Sequence, residues 1–168
     1  METFDTIRTV LAVRTFHDTP IPEEVVGQIV EAGRLTASAG NGQPWHFIVV
    51  QNKQTLGQLG ALARTGPYIS QAPLAIVVAL EKAPLAASDA SRAIQSMILA
   101  AWSRGVGSNW VGFHGLDAVK PLLGIPDDLD VLAIIPFGYP VESVGAGIKK
   151  RKPLGQVAHR ERFGQPFV

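Results

Sequence analysis

The sequence predicts an α+β domain in which strands are separated by helices and a sheet lies between helical layers. Three observations predict it. Residues 72–80, Ala-Pro-Leu-Ala-Ile-Val-Val-Ala-Leu, are apolar without alternation, the pattern of a strand covered on both faces. Residues 131–137 form a second run of this kind. Around these runs, apolar residues recur at intervals of three and four over 25–33 and 88–104, which is helical spacing.

The elements follow in order. Residues 2–11 are weakly helical. Pro20-Ile21-Pro22-Glu23-Glu24 is a helix start, with proline early and acids in the first turn. The helix it opens carries Val25, Val26, Ile29, Val30 and Gly33 on one side. Residues 45–50 read as a strand, and Leu56, Leu59, Leu62 and Ala63 mark a short helix. After the 72–80 strand, Ala90, Ala93, Ile94, Met97, Ile98, Ala101 and Trp102 define a long helix, with Gly105 as its C-terminal cap. The small residues on that helix predict a face that is either central in the core or packed on a partner subunit. A strand at 108–111, a short helix at 116–123 and the strand at 131–137 complete the pattern. No repeat or linker divides the chain, so residues 1–168 are expected to form one domain.

Composition narrows the chemistry. The 168 residues are 46% hydrophobic and 17% charged, too apolar for a disordered chain. With no cysteine, disulfides, thiolate nucleophiles and cysteine-ligated metals are excluded. The start of the chain shows no signal peptide and no apolar run reaches membrane-spanning length, which predicts a soluble, cytoplasmic protein. Net charge is +1, yet six of the 15 Lys and Arg residues fall at 149, 150, 151, 152, 160 and 162. Such a cluster on a near-neutral chain suggests one anionic ligand group rather than a nucleic-acid surface, a solvated tail being the alternative.

Familiar catalytic kits are absent. No serine sits in G-x-S-x-G, and neither H-E-x-x-H nor a Walker loop occurs. Histidines 17, 46, 114 and 159 lack metal-ligand spacing, so no metal site is predicted. Gly105-Val106-Gly107 lies between a helix and a strand, the reverse of the order a Rossmann nicotinamide site requires. An enzyme built this way would depend on a bound cofactor for its reactive group.

Four segments carry binding potential. Thr36-Ala37-Ser38-Ala39-Gly40-Asn41-Gly42-Gln43-Pro44-Trp45 is dense in small and amide residues, which can match a flat ligand edge of alternating donors and acceptors such as a flavin's. An ordinary helix-to-strand connection is the competing reading, since Gly and Asn favour turns. Val13-Arg14-Thr15-Phe16 sets one arginine among apolar residues, the alternative being an exposed surface cation. Asn109-Trp110-Val111-Gly112-Phe113 ends a strand at a glycine, where backbone can approach a ligand closely. Lys149-Lys150-Arg151-Lys152-Pro153-Leu154 completes the set.

In this order the segments resemble the nitroreductase family of FMN-dependent oxidoreductases. The resemblance rests on Arg14-Thr15-Phe16, the Pro20–Glu24 helix start, and Ser38, Asn41, Gln43, Pro44 and Trp45 as S-x-x-N-x-Q-P-W. It continues through Tyr68, Ala72-Pro73, Gly105, Gly107, Ser108 and Trp110, then Phe137-Gly138-Tyr139-Pro140 and finally Lys149, Arg151, Lys152 and Pro153. It implies a central, mostly antiparallel sheet sandwiched by helices, with FMN at a homodimer interface. It also implies that Arg14 lies near the flavin N1/O2 edge or ribityl chain, and that Ser38, Ala39, Asn41 and Gln43 approach the cofactor. Backbone at Trp110, Val111 and Gly112 would face N5 or O4, and Lys149 and Arg151 the phosphate. Where the family often has Arg and Ser, this chain has Val10 and Ala12, leaving Arg8 and Lys150 as candidate substitutes.

The activity implied is ping-pong hydride transfer from NADH or NADPH through FMN to a small electron-poor acceptor, such as a nitroaromatic or quinone, with no catalytic side chain. The long lid of some members has no counterpart between Leu80 and the 88–104 helix, which implies an open substrate face. A flavin-binding module without turnover is the alternative. The apolar tail Phe163, Pro166, Phe167 and Val168 predicts that residues from about 155 to 168 cross to a partner subunit, burial within one subunit being the other outcome.

Overall fold

Leu74–Leu80 forms the central strand, β2, and all seven of its residues are buried. The computed structural model that shows this describes residues 1–112, 115–142, 144 and 149–167. Phe113, His114 and Val168, each part of a sequence expectation, lie outside the described residues.

The strand β2 sits between β1 (Trp45–Val50) and β5 (Asp130–Gly138), antiparallel to both. On the far side of β5 lie two short strands, β3 (Gly107–Ser108) and β4 (Val111–Gly112), also antiparallel to it. Side chains of β2 alternate between two cores. Leu74, Ile76, Val78 and Leu80 face the layer that contains α2 (Glu23–Arg34) and α4 (Ala86–Ser103). Ala75, Val77 and Ala79 face α3 (Lys53–Leu62) and the short α5 (Val119–Leu123). The result is a three-layer α/β/α sandwich. Each fully buried aliphatic side chain contributes about 1.5–3 kcal/mol to it, which is why both sides of the central strand are apolar.

The single strand predicted at 108–111 is divided. Ser108 lies opposite Phe137 and Val111 opposite Ile134, so β3 and β4 share one register, and the gap falls opposite Pro136. The Asn109 N–H reaches the Pro136 carbonyl at 3.4 Å, but proline has no N–H to return. The ladder is therefore interrupted by a residue on the neighbouring strand. The helix predicted at 116–123 begins only at Val119. Pro121 is tolerated within a first turn but not deeper, which prevents an earlier start.

The small face of α4 is used within the subunit. Ala90, Ala93 and Ala101 are fully buried, and α2 packs closely over this region. A Cβ on Gly33 would lie 3.0 Å from Met97 Cγ and 3.1 Å from Phe47. These three alanines lie in the core of the subunit. The helix ends in a Schellman cap, as Gly105 (φ +77°) donates to Trp102 O and Val106 to Ala101 O, each at 3.0 Å. Near this end, Trp102 Nε1 donates to Thr9 Oγ1 at 2.9 Å, which ties on α1 (Thr3–Thr9).

Candidate functional site

The amide-rich loop leaves α2 and enters β1. A short 3-10 turn, Ala39–Asn41, forms its centre. Gly40 (φ 57°), Asn41 (φ 57°) and Gln43 (φ 49°) all adopt left-handed backbone. Two of these are not glycine, a costly arrangement that needs support from its surroundings. Internal bonds supply the shape: Gln43 N–H donates to Ser38 Oγ at 2.9 Å, and Gln43 Nε2 to Asn41 O at 3.2 Å. Ser38 is half-buried, whereas Ala39, Asn41 and Gln43 are exposed. The loop therefore presents its amides to the outside.

Arg14 lies on an extended segment beside β3. Val13 N–H donates to Ser108 O at 2.9 Å, and Ala12 forms a parallel bridge with Ser108. A glycine at 107 permits this approach, because a Cβ there would lie 2.4 Å from Val13 Cγ2. The segment buries Val13 and Phe16 and leaves the Arg14 side chain exposed.

Trp110 is half-buried against the α2/α4 core, and Val111 is buried against the other. Gly112 has φ +118°, and a Cβ there would meet Leu116 Cδ1 at 2.6 Å, so backbone conformation and packing both require glycine. A cleft of about 420 Å³ opens beside it, lined by Arg64, Thr65, Gly112, Gly115 and Leu116.

Lys149 Nζ donates to the carbonyl of Ile7 at 2.6 Å. That carbonyl belongs to the last turn of α1, where helical partners have run out, so the lysine caps the helix and complements its dipole. Burial, with the Arg151 cation adding to it, holds the Lys149 ammonium below the ordinary lysine pKa. Among the described residues the Arg151 guanidinium donates to the carbonyl of its neighbour Lys150, and its side chain is exposed.

The sequence-predicted residues thus form two groups. Arg14, Trp110–Gly112 and Lys149 attach to the β3/β4 edge or to α1, near the last turn of α4. Ser38, Ala39, Asn41 and Gln43 sit at the β1 edge, with Ala39 N–H bonded to Asp89 Oδ2 in the first turn of α4 at 3.0 Å. Strands β2 and β5 lie between those edges, a separation of ~14 Å at ordinary strand spacing. Along α4 the anchors Asp89 and Trp102 are ~20 Å apart at the helical rise. One copy does not bring the groups together.

Sequence reasoning missed one residue of interest and one contact. Asp89, whose side chain is only 3% exposed, reads in the sequence as an ordinary acid near a helix start. The buried Asn109 donates to the Tyr68 hydroxyl, a bond across the 3-10 turn Pro67–Gln71 that no local pattern signals. Among the described residues, no cluster of three or more His, Asp or Glu could hold a metal ion. None of the described helices is long and apolar enough to cross a membrane.

Comparison with known proteins gives the ancestry. The nitroreductase family model matches residues 8–79 and 61–139. A provisionally named NADH dehydrogenase/NAD(P)H nitroreductase of Methanothermobacter thermautotrophicus is 35% identical over 154 residues, covering 86% of this chain and 81% of its own. An FMN-dependent nitroreductase from Clostridium difficile superposes with a TM-score of 0.87 at 25% identity, covering 95% of this chain and 99% of its own. A provisionally named nitroreductase from Desulfovibrio desulfuricans, solved in complex with FMN, gives 0.85 at 27% identity over 97% and 98%. A family match from residue 8 to 139 and a relative at 35% identity carry one conclusion: the chain belongs to the nitroreductase family.

Proposed function

We propose that this chain is an NAD(P)H oxidoreductase that works with FMN held between two copies of itself. The observation that carries the reading is the division of the candidate contacts between opposite edges of the sheet. A cofactor touching both groups needs the amide loop of one copy beside the Arg14 edge of another. The relatives support the cofactor, since one similar structure is described as FMN-dependent and another was solved with FMN.

The residues present fit such a group. Arg14 and Arg151 are exposed guanidiniums, and among the described residues neither pairs with a carboxylate. Arg151 can grip a phosphate in a fork, with Lys149 beside it as a second cation. A phosphate dianion would also offset the burial that disfavours the Lys149 charge. Arg14 would supply positive charge that favours the negative charge of a reduced isoalloxazine. The exposed amides of residues 38–43 offer donors and acceptors to the same edge. The cleft beside Gly112 leaves room for a flat donor or acceptor, and Arg64 there attracts an anionic one. When bound, FMN would supply hydride exchange between NADH or NADPH and an electron-poor acceptor such as a nitroaromatic or quinone. The chain's part is to hold, orient and electrostatically favour the redox group while one side stays open.

Absorbance of the purified chain tests this reading. It should show flavin bands or gain them with added FMN, and NADH or NADPH should bleach them without oxygen. Arg151→Ala should raise the FMN dissociation constant about tenfold, as expected for losing a charge-assisted bond. A colourless chain that takes up no FMN sinks the proposal. Colour that persists under both donors identifies a flavin-binding module without turnover.

We also propose that the C-terminal tail reaches the second copy. Residues 159–167 form a small hook closed by an antiparallel bridge between His159 and Pro166, with Arg160 Nη2 donating to Phe167 O at 2.9 Å. The hook presents Phe163, 92% exposed, to the outside. An aromatic ring held out by a formed turn is a good interface anchor. Deleting residues 163–168 should lower the dimer mass in light scattering, and an unchanged dimer refutes the role.

A further inference from the structure

We propose that Asp89 is a positioning residue for the FMN site, acting through the backbone N–H of Ala39; the inference rests on the FMN reading above. Its side chain is 3% exposed, in the first turn of α4, between the core residues Ala86 and Ala90. A carboxylate so buried is costly unless charge partners and hydrogen bonds satisfy it. Two groups do so. The Arg92 guanidinium, one turn on and 52% exposed, pairs with Oδ1, and the Ala39 N–H donates to Oδ2 at 3.0 Å.

The second bond holds a part of the loop that its other outside contacts do not reach. Asn41 N–H to Ser38 O, Gly42 N–H to Ala39 O and Gln43 N–H to Ser38 Oγ all begin and end within the loop. They fix its shape and would travel with it if it moved. Thr36 Oγ1 to Ser96 Oγ, also on α4, and Glu81 N–H to Pro44 O hold the flanks. Asp89 fastens the middle of the loop to a long helix. A backbone with left-handed Asn41 and Gln43 persists only where it is pinned. Through this bond the exposed amides are held in place before any ligand arrives, which removes an ordering cost from binding.

The tests are FMN titrations of Asp89→Ala and Asp89→Asn, beside amide hydrogen exchange of each chain without ligand. Asp89→Ala removes the acceptor and leaves Arg92 to water. It should raise the FMN dissociation constant about tenfold or more and abolish protection of the Ala39 amide. Asp89→Asn keeps a carbonyl oxygen for that amide. It should retain the protection and bind FMN within about threefold of the wild type. Wild-type affinity in Asp89→Ala overturns the proposal, as does Asp89→Asn losing affinity while Ala39 stays protected. If Asp89→Ala does not fold, Asp89→Asn decides by the same criteria. A wild-type chain that takes up no FMN refutes the proposed function instead, and unprotected exchange at Ala39 in the wild type refutes the anchor on its own.

Discussion

Phe137→Ala should lower the folding free energy by about 3–5 kcal/mol, the largest loss expected of any single truncation here. Phe137 is fully buried in β5, with Leu74 opposite it on one side and Ser108 on the other. Its side chain packs into the core beneath α2 and α4. At the next residue, a Cβ on Gly138 would already lie 2.8 Å from both Phe16 and Pro73. The tight packing at Gly138 holds the other face of the strand, and a cavity left at 137 on the α2/α4 side would add to the lost transfer energy as far as it stays open. The same residue supports the strand along which the Arg14 segment runs, so the damage would extend to the candidate site. Urea denaturation of the two chains reads the difference, and a loss under about 1 kcal/mol would mean that this part of the core is far softer than its packing indicates.

Gly107→Ala should cost about 1–3 kcal/mol by overpacking. The new methyl would stand 2.4 Å from Val13 Cγ2 and 2.8 Å from Val13 Cβ, and Val13 is only 3% exposed. The conflict must push the 12–14 segment away from β3, lengthening the 2.9 Å bond from Val13 N–H to Ser108 O and moving Arg14 with it. FMN affinity should fall together with stability. If the collision is the cause, shortening the opposing side chain should relieve it. Gly107→Ala combined with Val13→Ala should lose less than the two single changes added together, by about 0.5 kcal/mol or more. Strict additivity would show that the glycine is needed for some other reason.

Burial on both sides made the central sheet legible. A strand with no wet face, such as 74–80, can be written only in apolar residues, and a capped helix such as 86–103 shows both its spacing and its terminal glycine. The family was legible for a different reason: its motifs are short, specific and kept in order from Arg14 to Pro153. What escaped were effects exerted between distant residues. The break between β3 and β4 is caused by Pro136, which lies in another strand. The alanines of α4 suit a subunit core and a subunit interface equally well as a pattern, so only packing decides between them. Lys149 reads as one charge in a basic run, yet it caps a helix at the opposite end of the sequence. Asp89 is the clearest case. An acid in a first turn is common and most often exposed, and nothing local distinguishes one that is buried to hold a loop 50 residues away.

The imino acid in β5 has one more result. Sheets that end in a long straight border offer a template on which stray chains can assemble. Here the outermost rungs come in pairs, 107–108 and 111–112, and residues 12 and 13 already lie against the first pair. On this border a stranger would find only short runs of free rungs, whereas the opposite border is the six-residue β1. Pro136, which costs the sheet a bond, thereby shortens the template that this one border offers.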